Sequence, residues 1–216
     1  NNAESHYLTN NFSLSGNWES GTSYITGSSA ANQRIRTPDM GAQNYLQNIW
    51  ARDKYTLEVR SLLRYHNQPA RITIDGDRQS LDLQQLYMDH SLSFLRKKGN
   101  LTRQYTAGVT GDLNSLRNGT SLYFTPNYQL NRHKWNLSFN LPLVWTAFPE
   151  ADFSRLAVNP FLYINYKLNY AWRFSFHANY RENYGDITDF YPDAYRTDYR
   201  NVRINNAIMP VNRTQS

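Results

Sequence analysis

The stretch Trp135–Ala147 constrains this chain more than any other. Its odd positions are Trp135, Leu137, Phe139, Leu141, Leu143, Trp145 and Ala147, and its even positions include Asn136, Ser138, Asn140 and Thr146. In an extended strand these two sets point to opposite faces. One face is wholly apolar; the other is mostly polar, apart from Pro142 and Val144. Removing the large apolar side chains from water is worth about 1.5–3 kcal/mol each. Such a face must be covered by something.

The signature recurs along the chain. Tyr55, Leu57, Val59, Ser61, Leu63 and Tyr65 alternate with Thr56, Glu58, Arg60, Leu62, Arg64 and His66. Leu122, Phe124, Pro126, Tyr128 and Leu130 alternate with Ser121, Tyr123, Thr125, Asn127 and Gln129. Leu162, Ile164 and Tyr166 form a third set, and Trp172, Phe174, Phe176, Ala178 and Tyr180 a fourth. Weaker strands are expected near 7–18, 44–50, 84–95 and 101–111. No stretch carries a convincing 3.6-residue period. The expectation is an all-β chain, an antiparallel up-and-down meander.

Two kinds of connection alternate. Short turns are expected at Ala51–Lys54, Arg96–Asn100, Asn131–Lys134 and Lys167–Tyr170. Long polar segments are expected near Glu19–Gln43, Asn67–Leu83, Asp112–Thr120, Phe148–Arg155 and Tyr184–Asn212. In a meander every second connection emerges at the same end, so one end would carry tight turns and the other long loops. Transmembrane β-barrels show this asymmetry. The short turns hold Arg52, Lys54, Lys97, Lys98, Arg132, Lys134 and Lys167. The ordinary polarity of turns accounts for them; contact with lipid phosphate is a second reading.

Composition narrows the field. The chain has no Cys, which excludes a disulfide scaffold, a Cys-ligated zinc and a thiol nucleophile. No apolar run reaches the ~18 residues of a spanning helix. Asn1–Gly16 has neither the basic start nor the apolar middle of a signal peptide, so an export signal is expected upstream. Aromatic residues make up 15% of the chain, with 17 Tyr, which suits strands and wet–dry interfaces. The net charge of +6 admits nucleic acid or anionic lipid as partners. The large apolar faces argue against nucleic acid.

Alternation alone leaves two directions for the apolar face. It points outward to lipid in a membrane barrel, and inward in a soluble β-barrel that binds a lipid or other hydrophobic ligand. Aromatics at strand ends, as in Trp135 and Trp145 or Tyr55 and Tyr65, suit two interfacial girdles and favour the first. Charges on the polar faces then line a wet lumen: Glu58, Arg60, Arg64, Arg173, His177 and Arg181. A secreted β-sandwich adhesion module is a third, weaker class. About nine strands are readable, an odd number, and none is evident after the last long segment. Bacterial single-chain barrels have an even number. The expectation is therefore one segment, 1–216, of a larger transmembrane barrel, with open edges through which two copies could pair as a homodimer. Pro126, Pro142 and Pro160 each remove a ladder donor and should mark bulges, bends or strand limits.

Particular residues carry a family resemblance. Ser121-Leu-Tyr-Phe-Thr-Pro126, Tyr128-Gln-Leu130, the turn Asn131-Arg-His-Lys134 and Trp135-Asn-Leu-Ser-Phe-Asn-Leu-Pro-Leu143 resemble barrel hairpins of TonB-dependent receptors of Gram-negative anaerobes. Tyr87–Phe94 and Asp193–Asp198 share that texture. The resemblance implies location in the cell outer membrane and energised import of a nutrient through a large barrel of about 22 strands. It further implies an energy-coupling protein and a surface lipoprotein as partners of the full-length chain, with outer-membrane lipid around the wall. Neither a plug domain nor an energy-coupling box is recognisable here.

No constellation for catalysis is found, and the chain is not expected to be an enzyme or to hold a cofactor. There is no G-x-S-x-G elbow and no Gly-rich phosphate loop after a strand. His6, His66, His90, His133 and His177 lack zinc-helix spacing. Asp186, Asp189, Asp193 and Asp198 are too irregular for an EF-hand loop, so no metal is expected. Tyr184, Asp186, Asp189, Tyr191, Tyr195 and Tyr199 are candidates for an outer loop that touches ligand or caps the pore.

Overall fold

The structure, a computed structural model, describes residues 5–25, 31–74, 77–115, 118–149, 152–184, 195–196, 202–203 and 211–215. Among these residues the chain is all-β and contains no α-helix. The strands are β1 (Ser5–Ile25), β2 (Ala31–Ala51), β3 (Thr56–Ile74), β4 (Asp77–Lys98), β5 (Leu101–Asn114), β6 (Asn118–Asn131) and β7 (Trp135–Asn140). They continue as β8 (Leu143–Phe148), β9 (Phe153–Val158), β10 (Phe161–Lys167), β11 (Arg173–Tyr184), β12 (Tyr195–Arg196), β13 (Val202–Arg203) and β14 (Val211–Gln215). All but β12 and β13 form one antiparallel up-and-down sheet that begins at β1 and ends at β14. Among the described residues β12 and β13 form a separate two-stranded pair.

The tight turns lie where the sequence puts them, at 52–55, 99–100, 132–134 and 168–172. The long-loop expectation is corrected at the other end. Most of Glu19–Gln43 and Asn67–Leu83 continues as ladder, from Ser5↔Ala51 to Ile25↔Ala31 and from Thr56↔Leu95 to Ile74↔Asp77. The expected loops at 112–120 and 148–155 shrink to short connections after Asn114 and Phe148. Both segments are rich in polar residues and their apolar alternation is brief, so they read as loop although they pair as strand. The last long segment is followed by β14, a strand too short and polar to be evident beforehand.

Trp135–Ala147 is interrupted at Leu141–Pro142, and the next track at Asn159–Pro160. Both interruptions keep register: Asn140↔Phe161 and Leu143↔Val158 belong to one continuous alignment. Pro126 remains inside β6. A proline has no N–H but keeps its carbonyl, and all three carbonyls are used. Leu141 N donates to Pro126 O at 3.0 Å, Asn159 N to Pro142 O at 2.9 Å, and Tyr180 N to Pro160 O at 3.1 Å. The result is a proline seam running across the sheet from β6 to β11.

The turns step steadily. By register, the midpoint of the 52–55 turn falls opposite Lys97–Lys98, whereas the next turn is at Gly99–Asn100. That midpoint falls opposite Asn131–Arg132, whereas the third turn is at His133–Lys134. The third falls opposite Lys167–Leu168, and the fourth centres near Tyr170. Each hairpin thus advances about two residues, or about one residue per strand; at ~3.3 Å rise and ~4.8 Å strand spacing, the strands tilt about 35° from the perpendicular to the line of turns.

Register also sorts the side chains. With the exception of Tyr7, every exposed large hydrophobic inside a described strand of the main sheet lies on one face, from Leu8 and Phe12 through Leu63, Leu92, Leu122 and Phe124 to Phe176. The buried side chains are mostly polar: Ser91, Ser93, Thr106, Thr146 and Glu182, beside Ala157. The chain exposes 14782 Å². A compact globule of this mass exposes roughly 10,300 Å².

Candidate functional site

The polar face gathers most of the ionisable side chains of the sheet. On β3, Glu58, Arg60 and Arg64 share it and alternate along the strand. Glu58 accepts a hydrogen bond from Gln47 Nε2 at 2.5 Å, and Arg60 Nε stands 3.6 Å from Glu58 Oε1. The Arg64 guanidinium lies over the Tyr87 ring, 5.1 Å from its centroid. On β11, alternation places Arg173, His177 and Arg181 on one face, and the register through β10 and β7 makes it the same sheet face. The two groups occupy opposite halves of the sheet and do not meet. His177 packs edge-on against Phe161 at 5.2 Å.

The register brings together further polar groups that the strand patterns did not single out. Tyr123 on β6 reaches over β5 and donates its hydroxyl to Asp89 Oδ1 on β4 at 2.7 Å. Its ring lies on Gly108, which is paired with Tyr123 across the ladder. A Cβ at Gly108 would overlap the ring and the hydroxyl, so this crossing requires glycine there. Asp112 accepts from Gln85 at 2.9 and 3.0 Å, His66 Nε2 and Asp39 Oδ1 lie 2.5 Å apart, and Ser93 bonds Thr106 at 2.5 Å. Partners separated by more than ten residues in sequence are invisible to a period-2 pattern. Gly108 opposite an aromatic residue was the one available signal.

In the other half, side chains stand in for the ladder at the seam. Asn159 Oδ1 accepts from Glu182 N at 2.8 Å, and its Nδ2 donates to Glu182 O at 3.4 Å. The buried Glu182 carboxylate meets Arg155 Nη2 at 2.7 Å.

The opposite, apolar face carries aromatic side chains in a row beside the tight turns. His6 stacks on Trp50, Tyr55 on Phe94, Tyr105 meets Tyr128 edge-on, Tyr128 stacks on Phe139, and Trp135 lies 4.3 Å from Tyr166. Ten residues up their strands stand Tyr65 and Trp145. Beyond this second boundary Trp18, Ser20, Arg36, Pro38, Pro69 and Arg71 line an open hollow of about 430 Å³.

Among the described residues no three His, Asp or Glu side chains converge as metal ligands would. Of the outer-loop candidates, Tyr184 ends β11 and Tyr195 lies in β12. Asp186, Asp189, Tyr191 and Tyr199 fall outside the described residues. No family model, no curated protein and no solved structure matches the chain.

Proposed function

We propose that this chain is wall from a transmembrane β-barrel of the outer membrane, in a receptor that imports a nutrient by energised transport. The observation that carries this reading is its inverted burial: large hydrophobics exposed on one face, small polar side chains buried on the other. Monomers in water rarely expose an apolar patch beyond a few hundred Å². A soluble barrel with an apolar interior needs the reverse arrangement, with Leu92, Leu122 and Phe124 enclosed.

Three features support the membrane reading. The tilt of about 35° is that of strands in barrels. The rows at Trp135 and Trp145, ten residues apart, are separated by about 27 Å at that tilt, close to the ~25 Å apolar band of outer-membrane barrels. Polar side chains on the apolar face bond to each other, as hydrocarbon demands: Asn44 Nδ2 to Asn10 Oδ1 at 3.0 Å, and His6 with Asn48 at 2.5 Å. The polar face then lines the passage, where Glu58, Arg60, Arg64, Arg173, His177 and Arg181 supply its charge. The energy-coupling protein and surface lipoprotein rest on the family resemblance alone.

The absence of cysteine makes a clean test, because each introduced thiol is unique. In lipid vesicles, Leu92→Cys and Phe124→Cys should resist a polar maleimide, while Arg64→Cys and Gln85→Cys react. Reaction of all four, or protection of Leu92→Cys and Phe124→Cys in a detergent-free monomer, defeats the proposal.

A further inference from the structure

The two ends of the sheet differ in charge. The turn-end segments 52–54, 96–103, 131–134 and 167–173 hold ten Lys and Arg and a single acid, Asp53. At the other end the signs mix, with Arg36, Arg71 and Arg78 among Asp39, Asp82, Asp112 and Asp152. Turn polarity explains solvated residues of either sign; it does not explain ten of one sign.

One pair among the ten is placed with particular consequence. Arg96 and Arg103 are directly opposite each other on β4 and β5. Alternation from Phe94 and Tyr105 puts both on the apolar face, one step from the aromatic row toward the turns. Both are exposed. Arg103 is itself opposite Tyr128, and Tyr55, which stacks on Phe94 at 5.6 Å, flanks the pair on the β3 side. Like charges directly opposite across a ladder repel. Neither guanidinium has an acidic partner among the described residues. At the depth of an aromatic belt, the group that would neutralise them is a lipid phosphate, and arginine forks fit phosphate geometry.

We propose that Arg96 and Arg103 clamp the phosphate of an anionic glycerophospholipid in the leaflet at the tight-turn end, between Tyr55 and Tyr128. This rests on the membrane reading above and adds a lipid preference and a location to it. The clamp fixes the height of the wall in the bilayer and makes the turn end prefer the anionic leaflet.

The test is spin-label spectroscopy on the full chain in vesicles doped with labelled phosphatidylglycerol or labelled phosphatidylcholine, reading the motionally restricted fraction of each. A basic residue near a charged membrane surface contributes about 1 kcal/mol, so with two of them wild type should favour phosphatidylglycerol by at least about fivefold. Arg96→Gln with Arg103→Gln should bring that ratio to about one, while Arg36→Gln with Arg71→Gln, the same charge change on the same face at the far end, should leave it at the wild-type value. Equal restriction of the two lipids by wild type overturns the clamp and spares the membrane reading. Equal loss in both double variants also overturns it, because net charge would then suffice. If neither lipid is restricted by wild type, the clamp and the membrane reading fall together.

Discussion

The two halves of the sheet keep their strands together differently. From β2 to β6 the ladders run with few breaks and side chains reinforce them, as where Tyr123 crosses β5 to Asp89. From β7 to β11 the tracks break at Pro142 and Pro160, and Asn159 and the Arg155–Glu182 pair bridge what the backbone leaves open. In the first half side-chain bonds add to a nearly complete ladder; in the second they replace part of one. Loss of a polar side chain should therefore cost more near the seam, unless backbone packing is disturbed too.

The sharpest challenge is Gly108→Val. It keeps the ladder but drives the branched side chain into the Tyr123 ring, and should lower folding stability by about 3 kcal/mol, from overpacking plus the lost hydrogen bond. Urea titration in detergent micelles, followed by tryptophan fluorescence, reads this. A cost below that of Tyr123→Phe would show that the ring does not need the glycine.

Arg155→Ala comes next. Glu182 is buried and would lose its cation, although Arg155 is itself about a third exposed and partly screened. A cost of about 2 kcal/mol is expected, below that of a fully buried pair. The double variant Arg155→Ala with Glu182→Gln should recover most of it; no recovery would mean that the ion pair is not the bridge.

Asn159→Ala should cost about 1.5 kcal/mol by leaving the Glu182 N–H and C=O without their partners. Asn165→Ala, which removes an exposed bond to Ser175 at 3.1 Å, is the contrast and should cost under about 0.5 kcal/mol. Equal costs for the two would show that a side chain bridging the seam carries no more weight than one bonded on an unbroken ladder.

Legibility in the sequence follows the same physics. Where one face is apolar and the other polar, alternation reports it, and strands were readable in Tyr55–Tyr65 and Trp135–Ala147. Where the segment is mostly polar, as in 67–74 with 77–83, pairing continues but the alternation shrinks to Ile72 with Ile74 and Leu81 with Leu83, too brief to mark a strand, so strand was taken for loop. The prolines announced interruptions but not that register survives them, because that depends on carbonyls finding donors in neighbouring tracks. The lumen candidates on β3 were visible as charges in an alternating strand. The Asp89–Tyr123 crossing was not, because it depends on three strands meeting in one register. The Arg96–Arg103 pair likewise acquires meaning only when the β4–β5 register sets two like charges side by side.

The proline seam has a mechanical consequence. Flexing an ordinary ladder strips N–H groups of their acceptors, and in hydrocarbon each bare donor costs several kcal/mol. Pro126, Pro142 and Pro160 bring no such donor. Along that line the sheet can hinge while exposing fewer bare amides than elsewhere, which makes it the natural crease for any change of curvature.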